Sequence, residues 1–161
     1  MVKSQSVEIY AREINESVTL ETFLRAQLYG CNYEAGSRIA EALYFAPHFG
    51  AKIADSQPGV GIGISYVSKI EAVAYGTTWK DFQNLTRQHR GGTWLNSHGQ
   101  LLQRLRSRWN WNKGTHRTFL LLGKPRLVFN PPVRKERLQK GRGFLSKRFL
   151  SFDELFDAWA N

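Results

Sequence analysis

The residues best suited to chemistry are two carboxylates and a lysine near the middle of the chain, Asp55, Glu71 and Lys69. Metal-dependent nucleases hold two or three carboxylates around Mg²⁺, with a lysine nearby, to activate water and to stabilise the leaving phosphate. The usual order of an acid, one residue and a lysine is absent, because Lys69 precedes Glu71. The three residues therefore support a Mg²⁺-dependent nuclease acting on DNA only as an alternative.

Other catalytic arrangements have no signature in the sequence. The four histidines, His48, His89, His98 and His116, show neither triad order nor the spacing of metal ligands, and no G-x-S-x-G or P-loop motif is present. The single cysteine, Cys31, excludes an internal disulfide and a cysteine-rich zinc site. Outside the nuclease alternative we predict no catalytic residue, metal or cofactor, and the sequence leans against an enzyme.

The charge of the chain is strongly positive and unevenly spread. The net charge is +10; residues 1–78 hold 6 Lys and Arg against 8 Asp and Glu, whereas residues 79–161 hold 17 against 5. Such asymmetry indicates a polyanionic partner more than general solubility. The basic half contains 11 Arg and 6 Lys, and the planar guanidinium can bind a phosphate or a base edge through two hydrogen bonds. We therefore predict contact with nucleic acid.

Arginines and tryptophans are interleaved in this basic half, which is the expected footprint of phosphate contacts beside stacking platforms. A base stacked on an aromatic ring contributes about 1–3 kcal/mol, although any one of these tryptophans could equally belong to the core. The candidate stacking residues are Trp94, Trp109 and Trp111. The candidate backbone contacts are Arg104, Arg106, Arg108, Arg134, Lys135, Arg137, Lys140, Arg142, Lys147 and Arg148.

A long strand between residues 58 and 79 organises the chain. Hydrophobic side chains occupy its even positions, which predicts one buried face, and only Ser68 interrupts the row. Gly61 and Gly63 leave the other face bare at the start. Glycines inside a strand mark a bulge, a barrel corner or the close approach of another backbone or of a ligand. We favour a barrel corner here.

The remaining elements follow from local patterns. In chain order we predict a helix over 19–29 that Gly30 stops, a strand over 41–46, a helix within 95–111, strands over 115–123 and 126–129 separated by a turn at Lys124 and Pro125, an extended piece over 144–150 and a helix over 151–159. The helix within 95–111 carries an apolar face of Leu101, Leu102 and Leu105. It lies in a basic insertion over residues 80–114, which is a plausible binding device.

The order of these elements resembles the PUA-like superfamily of small pseudo-barrels, which includes the PUA, ASCH, EVE and SRA domains. The likeness covers residues 38–159. Residues 63–70, GISYVSKI, are similar to a barrel strand of pattern G-[IV]-x-Y-[IV]-x-x-[IV], and residues 122–125, LGKP, are similar to a later strand that ends in LGxP. The resemblance implies nucleic-acid binding, often of a modified or flipped base in a cleft.

A flipped base needs a pocket that combines aromatic faces with hydrogen-bonding groups. Four residues on the barrel side of the chain are candidates for such a pocket. They are Tyr44, Phe45, Ser65 and Trp79.

We predict a single α+β domain over residues 1–161, with a small mixed, strongly bent sheet or pseudo-barrel and flanking helices. Residues 1–37 are expected to form an N-terminal helical extension of a PUA-like core over 38–159. The predicted partner is nucleic acid, with DNA slightly favoured over RNA, and a larger protein assembly is a further expected partner. No apolar run is long enough to cross a membrane and no secretory signal opens the chain, so we expect a cytoplasmic protein.

A protein-binding module or assembly subunit is a second alternative. It leaves the charge asymmetry unexplained unless its partner is acidic.

Overall fold

The computed structural model describes residues 8–111, 115–138 and 147–161. The chain divides into two compact units. The strand unit comprises Met1–Asn15, Arg38–Ile70 and Gly123–Asn161, and the helical unit comprises Glu16–Ser37 and Glu71–Leu122. The single domain with an N-terminal extension stays a prediction.

Six strands form one mixed sheet. They are β1 (Ile9–Ile14), β2 (Leu28–Asn32), β3 (Tyr44–Phe49), β4 (Gly63–Thr77), β5 (Arg117–Val133) and β6 (Lys147–Leu150). Their order is β2-β5-β4-β3-β1-β6, with β1 parallel to β3, while β6, β4 and β2 are antiparallel to β1, β3 and β5 respectively. The fold class is the predicted one, α+β with a bent, mixed sheet of pseudo-barrel type and flanking helices.

Seven α-helices accompany the sheet in the part of the chain that the structure describes. They are α1 (Ser17–Ala26), α2 (Ala51–Ser56), α3 (Trp79–Arg90), α4 (Gly92–Ser97), α5 (Gly99–Arg108), α6 (Lys135–Leu138) and α7 (Phe152–Ala160), and a 3₁₀ helix spans Arg38–Glu41. Among these residues, no helix has both the length and the apolar character that a membrane crossing needs.

β4 is the long strand that the alternation predicts, but both of its faces are covered near its start. Ile64 and Ser68 are fully buried on the predicted face, and Val67 on the opposite face is fully buried as well. The prediction of one buried face is therefore wrong for this part of β4. Gly63 has a φ of +123°, and a Cβ at this position would lie 2.6 Å from the carbonyl oxygen of Val133. This glycine thus permits a close backbone approach.

The first helix ends earlier than predicted. Gln27, with a φ of 48°, caps α1 in the left-handed conformation. Leu28 then begins β2, so that Gly30 lies inside a strand and does not stop the helix. Cys31 of β2 is opposite Thr118 of β5. The helical pattern fails here because pairing with a distant strand outweighs local helix propensity.

β3 begins and ends three residues later than the predicted strand and contains a proline. Pro47 is opposite Arg12 of the parallel strand β1. Proline has no backbone N–H to donate, and the register of β3 against β4 shifts between Phe45 and His48. The proline is therefore accommodated where the ladder is irregular.

The largest differences from prediction lie between residues 80 and 133. The insertion folds as three helices, although Leu101, Leu102 and Leu105 are buried on α5 as predicted. The predicted turn at Lys124 and Pro125 is wrong, because β5 continues through both residues. Proline's fixed φ is compatible with extended backbone, so a turn signal in the sequence does not require a turn.

The C-terminal helix α7 confirms a local prediction. Ser151 is its N-cap and forms a capping box with Glu154, whose backbone N–H donates to the serine hydroxyl at 3.1 Å. Leu155 is fully buried, whereas Phe156 and Trp159 remain 42% and 43% exposed. The large apolar side chains of this helix are therefore covered only in part.

Each unit contains its own hydrophobic core. The strand unit packs mainly aliphatic side chains, including Ile9, Ile64, Val67, Leu150 and Leu155. The helical unit packs four aromatic rings, Trp79, Phe82, Trp111 and Phe119, with the leucines of α4 and α5.

Candidate nucleic-acid interface

The three predicted arginines of α5 are engaged within the helical unit. Arg104 forms an ion pair with Glu21 of α1 at 2.7 Å, and Arg108 pairs with Glu16 at 3.2 Å. The hydrogen bond from Arg104 lowers the pKa of Glu21 below its ordinary value, and Arg25 on the same helix adds to this effect. These exposed cations are thus partly neutralised by acids from a distant part of the sequence.

Arg106, between those two arginines, faces a different environment. Its Nε donates to the backbone carbonyl of Trp111 at 3.0 Å, and its guanidinium carbon lies 5.1 Å from the centre of the Trp79 ring. The contacts to carbonyl and ring tie this cation to the aromatic core.

The other predicted cations belong to the strand unit. The Nε of Arg134 lies 3.7 Å from the Oε2 of Glu136, and the Nζ of Lys135 lies 3.6 Å from the Oε1 of Glu13. Arg137 is exposed, and no ion pair joins it to another described residue. Lys147 and Arg148 belong to β6, and the predicted contacts Lys140 and Arg142 lie outside the described residues.

A buried histidine holds the start of α6. His48 is fully buried, and its Nε2 accepts a hydrogen bond from the backbone N–H of Lys135 at 3.2 Å. Burial lowers the pKa of His48, against an opposing contribution from Glu13. The neutral ring that burial favours is also the form that can accept this hydrogen bond.

The structure contradicts the stacking role predicted for Trp111. Its side chain is 1% exposed and stacks on Phe119 within the core at 4.8 Å between ring centres. Trp94 and Trp109 are half-buried. Trp94 stacks on His98 at 4.3 Å, and Trp109 lies under the guanidinium of Arg117 at 5.4 Å. The stacking roles of these two rings stay predictions.

The predicted base pocket is not assembled as expected. Phe45 is fully buried and Trp79 is only 7% exposed, which excludes both as open stacking faces. Tyr44 is half-buried and packs edge-on against Phe152 at 5.0 Å, and Ser65 is half-buried on β4. Trp79 also belongs to the helical unit, whereas the other three candidates belong to the strand unit.

The nuclease candidates are all exposed. Asp55 is on α2, and Lys69 and Glu71 are on β4. Within the described ranges, no three or more His, Cys, Asp or Glu side chains are grouped so that they could hold a metal ion. The geometry therefore adds nothing in favour of the nuclease alternative.

Two cations on β5 were not among the contacts predicted from the sequence. Lys124 and Arg126 are exposed, as is Lys69 on the neighbouring strand β4. No ion pair joins any of the three to another residue that the structure describes. Lys124 and Arg126 are two residues apart and so lie on one face of β5, and Val128, two residues further on, is exposed as well. The spacing of the two cations was visible in the sequence, but the expected turn concealed the strand face that they share.

The fold of this chain is similar to the folds of several solved structures. The N-terminal domain of Staphylothermus marinus McrB is similar, with a TM-score of 0.60 and 12% identity over 99% of this chain and 97% of that chain.

Two structures of ASCH from Zymomonas mobilis are also similar to the chain. A structure of a mutant form gives a TM-score of 0.52 with 11% identity over 96% of both chains, and a second structure gives 0.51 with 11% identity over 94% of this chain and 93% of that one. No protein-family model and no curated protein matches the chain.

Proposed function

We propose that this chain is a nucleic-acid-binding recognition module. The observation that carries the proposal is the exposed group Lys69, Lys124 and Arg126, on neighbouring strands of one unit, without an acidic partner among the described residues. A cation without an internal partner is available to a phosphate and releases counterions when it binds. The net charge of +10 and the PUA-like fold support the same function.

The finer features of the proposal come from the superfamily. Because it includes readers of modified bases, a modified or flipped base is the expected target, with DNA slightly favoured over RNA. The McrB structure is an N-terminal domain, and hence part of a longer protein. We extend the proposal to a role of this chain within a larger assembly.

The test is a titration of the purified chain against labelled single- and double-stranded DNA and RNA at several salt concentrations. We expect tight binding at low salt that weakens steeply as salt rises. In the variant with Lys69→Ala, Lys124→Ala and Arg126→Ala, the slope of log affinity against log salt on duplex DNA should be smaller by roughly 2–3, since each lost phosphate contact removes about 0.9.

The matched control is a second triple variant with Arg25→Ala, Arg104→Ala and Arg108→Ala. It removes the same charge, but from arginines that pair with Glu21 or Glu16, so its slope should change less. Equal slopes would show that the β4 and β5 cations are not the contact surface. Absence of binding at low salt would refute the function itself. Parallel samples with Mg²⁺, run on a gel, would reveal cleavage and so favour the nuclease alternative.

A further inference from the structure

The three helices of the insertion line an open cleft of about 250 Å³ within the helical unit. This is smaller than the pockets of roughly 300–1,000 Å³ that hold drug-sized ligands. It is therefore of a size for one base or a similar small planar group. Nothing predicted from the sequence assigned a role to the polar residues that line it.

The lining follows from helical periodicity. On α3, Trp79, Gln83 and Arg87 are spaced four residues apart, so they share one face of the helix. On α5, Gly99 and Gln103 have the same spacing and also face the cleft. The local sequence of each helix thus brings polar side chains to a common concavity.

The rim of the cleft is polar and carries no acid. Gln83, Asn96 and Gln103 contribute carboxamides, and Arg87 contributes a guanidinium. Among the described residues, none of these four side chains has a hydrogen bond or an ion pair. Each carboxamide offers both donors and an acceptor. The rim therefore presents unused hydrogen-bonding groups and one cation to a ligand.

The floor of the cleft is part of the hydrophobic core. Trp79, Leu95 and Leu102 are 7%, 8% and 2% exposed. Trp79 packs edge-on against Trp111, with 5.0 Å between ring centres. Because core side chains are closely packed, the floor is a fixed surface against which a ligand can rest.

We propose that this cleft binds one unpaired nucleotide of a strand held by the chain, with the base edge at the carboxamides and a phosphate at Arg87. Carboxamide side chains form paired hydrogen bonds with base edges, and guanidinium groups bind phosphate in the same two-pronged way. The absence of a carboxylate from the lining leaves no repulsion against the phosphate. The inference rests on the proposed function and assigns the recognition of the base to this cleft.

The direct test uses the nucleoside monophosphates AMP, CMP, GMP and UMP as probes, while NMR follows the indole N–H of Trp79. We expect at least one of the four nucleotides to cause a saturable change in the chemical shift of this indole N–H. The shift should be lost in the variant with Gln83→Ala, Asn96→Ala and Gln103→Ala. The matched control, Gln88→Ala with Gln100→Ala, removes exposed glutamines of α3 and α5 that do not line the cleft and should keep the shift.

Several outcomes would overturn the inference. It fails if no nucleotide shifts the Trp79 signal, or if the triple amide variant responds like the wild type. An equal effect of inorganic phosphate alone would reveal an anion site that does not read bases. An equal effect of a sugar such as glucose would assign the cleft to another ligand class. Thermal unfolding of each variant identifies a loss of response that is due to misfolding.

A second measurement separates this inference from the proposed function. The affinities for the homopolymers dA15, dC15 and dT15 are compared in the wild type and in the triple amide variant. The ratio of the highest to the lowest affinity should be smaller in the variant by about fivefold or more, because one paired base contact is lost. The salt slope should remain unchanged. An unchanged ratio with intact strand binding refutes the cleft alone, whereas absence of strand binding by the wild type refutes the proposed function.

Discussion

Two groups of cations, one in each of the two basic units, differ in how available they are to a ligand. In the helical unit, Arg104 and Arg108 pair with the carboxylates of Glu21 and Glu16. In the strand unit, Lys69, Lys124 and Arg126 are exposed and have no acidic partner among the described residues. The density of arginine along the sequence therefore indicates which segments are positively charged, but not which of their cations remain available to bind a phosphate.

Arg90 shows how completely a cation can be used internally. Its guanidinium donates to the backbone carbonyls of Ala26, Gln27 and Leu122 and lies 4.8 Å from the ring centre of Trp94. Burial lowers the pKa of this guanidinium. One side chain thus binds three carbonyl groups where α1 ends and β2 begins beside β5, which makes Arg90 a structural residue of the helical unit.

The largest effect that distinguishes the units should come from their cores. Replacing Trp111 by Ala removes a buried ring from the aromatic core of the helical unit, and should lower the free energy of unfolding by about 3–5 kcal/mol. Urea denaturation measures this loss. Trp159→Ala is the matched control in the strand unit, because its ring is 43% exposed. Comparable losses in the two variants would show that the aromatic core is not the stabilising feature that its burial indicates.

A smaller effect should come from the close backbone approach in the strand unit. Gly63→Ala places a Cβ 2.6 Å from the Val133 carbonyl oxygen at a φ of +123°, and should destabilise the protein by about 1–3 kcal/mol. Gly92→Ala in the helical unit is the control. A Cβ there has no neighbour within 4 Å, and its φ is ordinary, so the change should be neutral or slightly stabilising. Thermal unfolding of both variants tests the contrast, and an unaffected Gly63→Ala protein would contradict the observed approach.

The smallest expected effect is the pH-dependent contribution of the Glu21 ion pairs to the free energy of unfolding. Glu21→Gln should cost less than about 1 kcal/mol at pH 7, because the pairs are exposed to solvent. Arg104 and Arg25 lower the pKa of Glu21 from its ordinary value of 4.5. The stabilisation is therefore present above pH 4.5 and is lost as the pH falls through the lowered pKa.

Denaturation of this variant and the wild type between pH 7 and pH 3 should give curves that converge in acid. Glu41→Gln breaks the exposed pair with Arg38 in the strand unit, and is the control for a single pair. A gap between the curves for Glu21→Gln and wild type that widened in acid would contradict the assigned sign.

Parts of the fold that depend on neighbouring residues were predictable from the sequence. The capping box of Ser151 and Glu154 marks the start of α7, and the leucines of α5 mark its buried face. Elements that depend on distant pairing were not. The pattern of residues 19–29 favours a helix throughout, but β2 is defined by its partner β5, about ninety residues later in the chain.

The candidate site was harder to predict than the fold for the same reason. Arg104 meets an acid 83 residues away in the sequence, and no local signal indicates that contact. Trp111 is indistinguishable in sequence from an exposed stacking residue until its burial is known. The polar lining of the cleft was in principle visible, since Gln83 and Arg87 follow the four-residue spacing of one helix face, but no helix was predicted over residues 81 to 88.

Because of its position, Cys31 can serve as a native probe of local opening between β2 and β5. Cys31 is 5% exposed on β2, opposite Thr118 of β5, and it is the only cysteine in the sequence. A buried thiol is inert to alkylating reagents, so labelling of the native protein must wait until these two strands separate. The rate at which Cys31 is alkylated therefore measures how often this edge of the sheet opens.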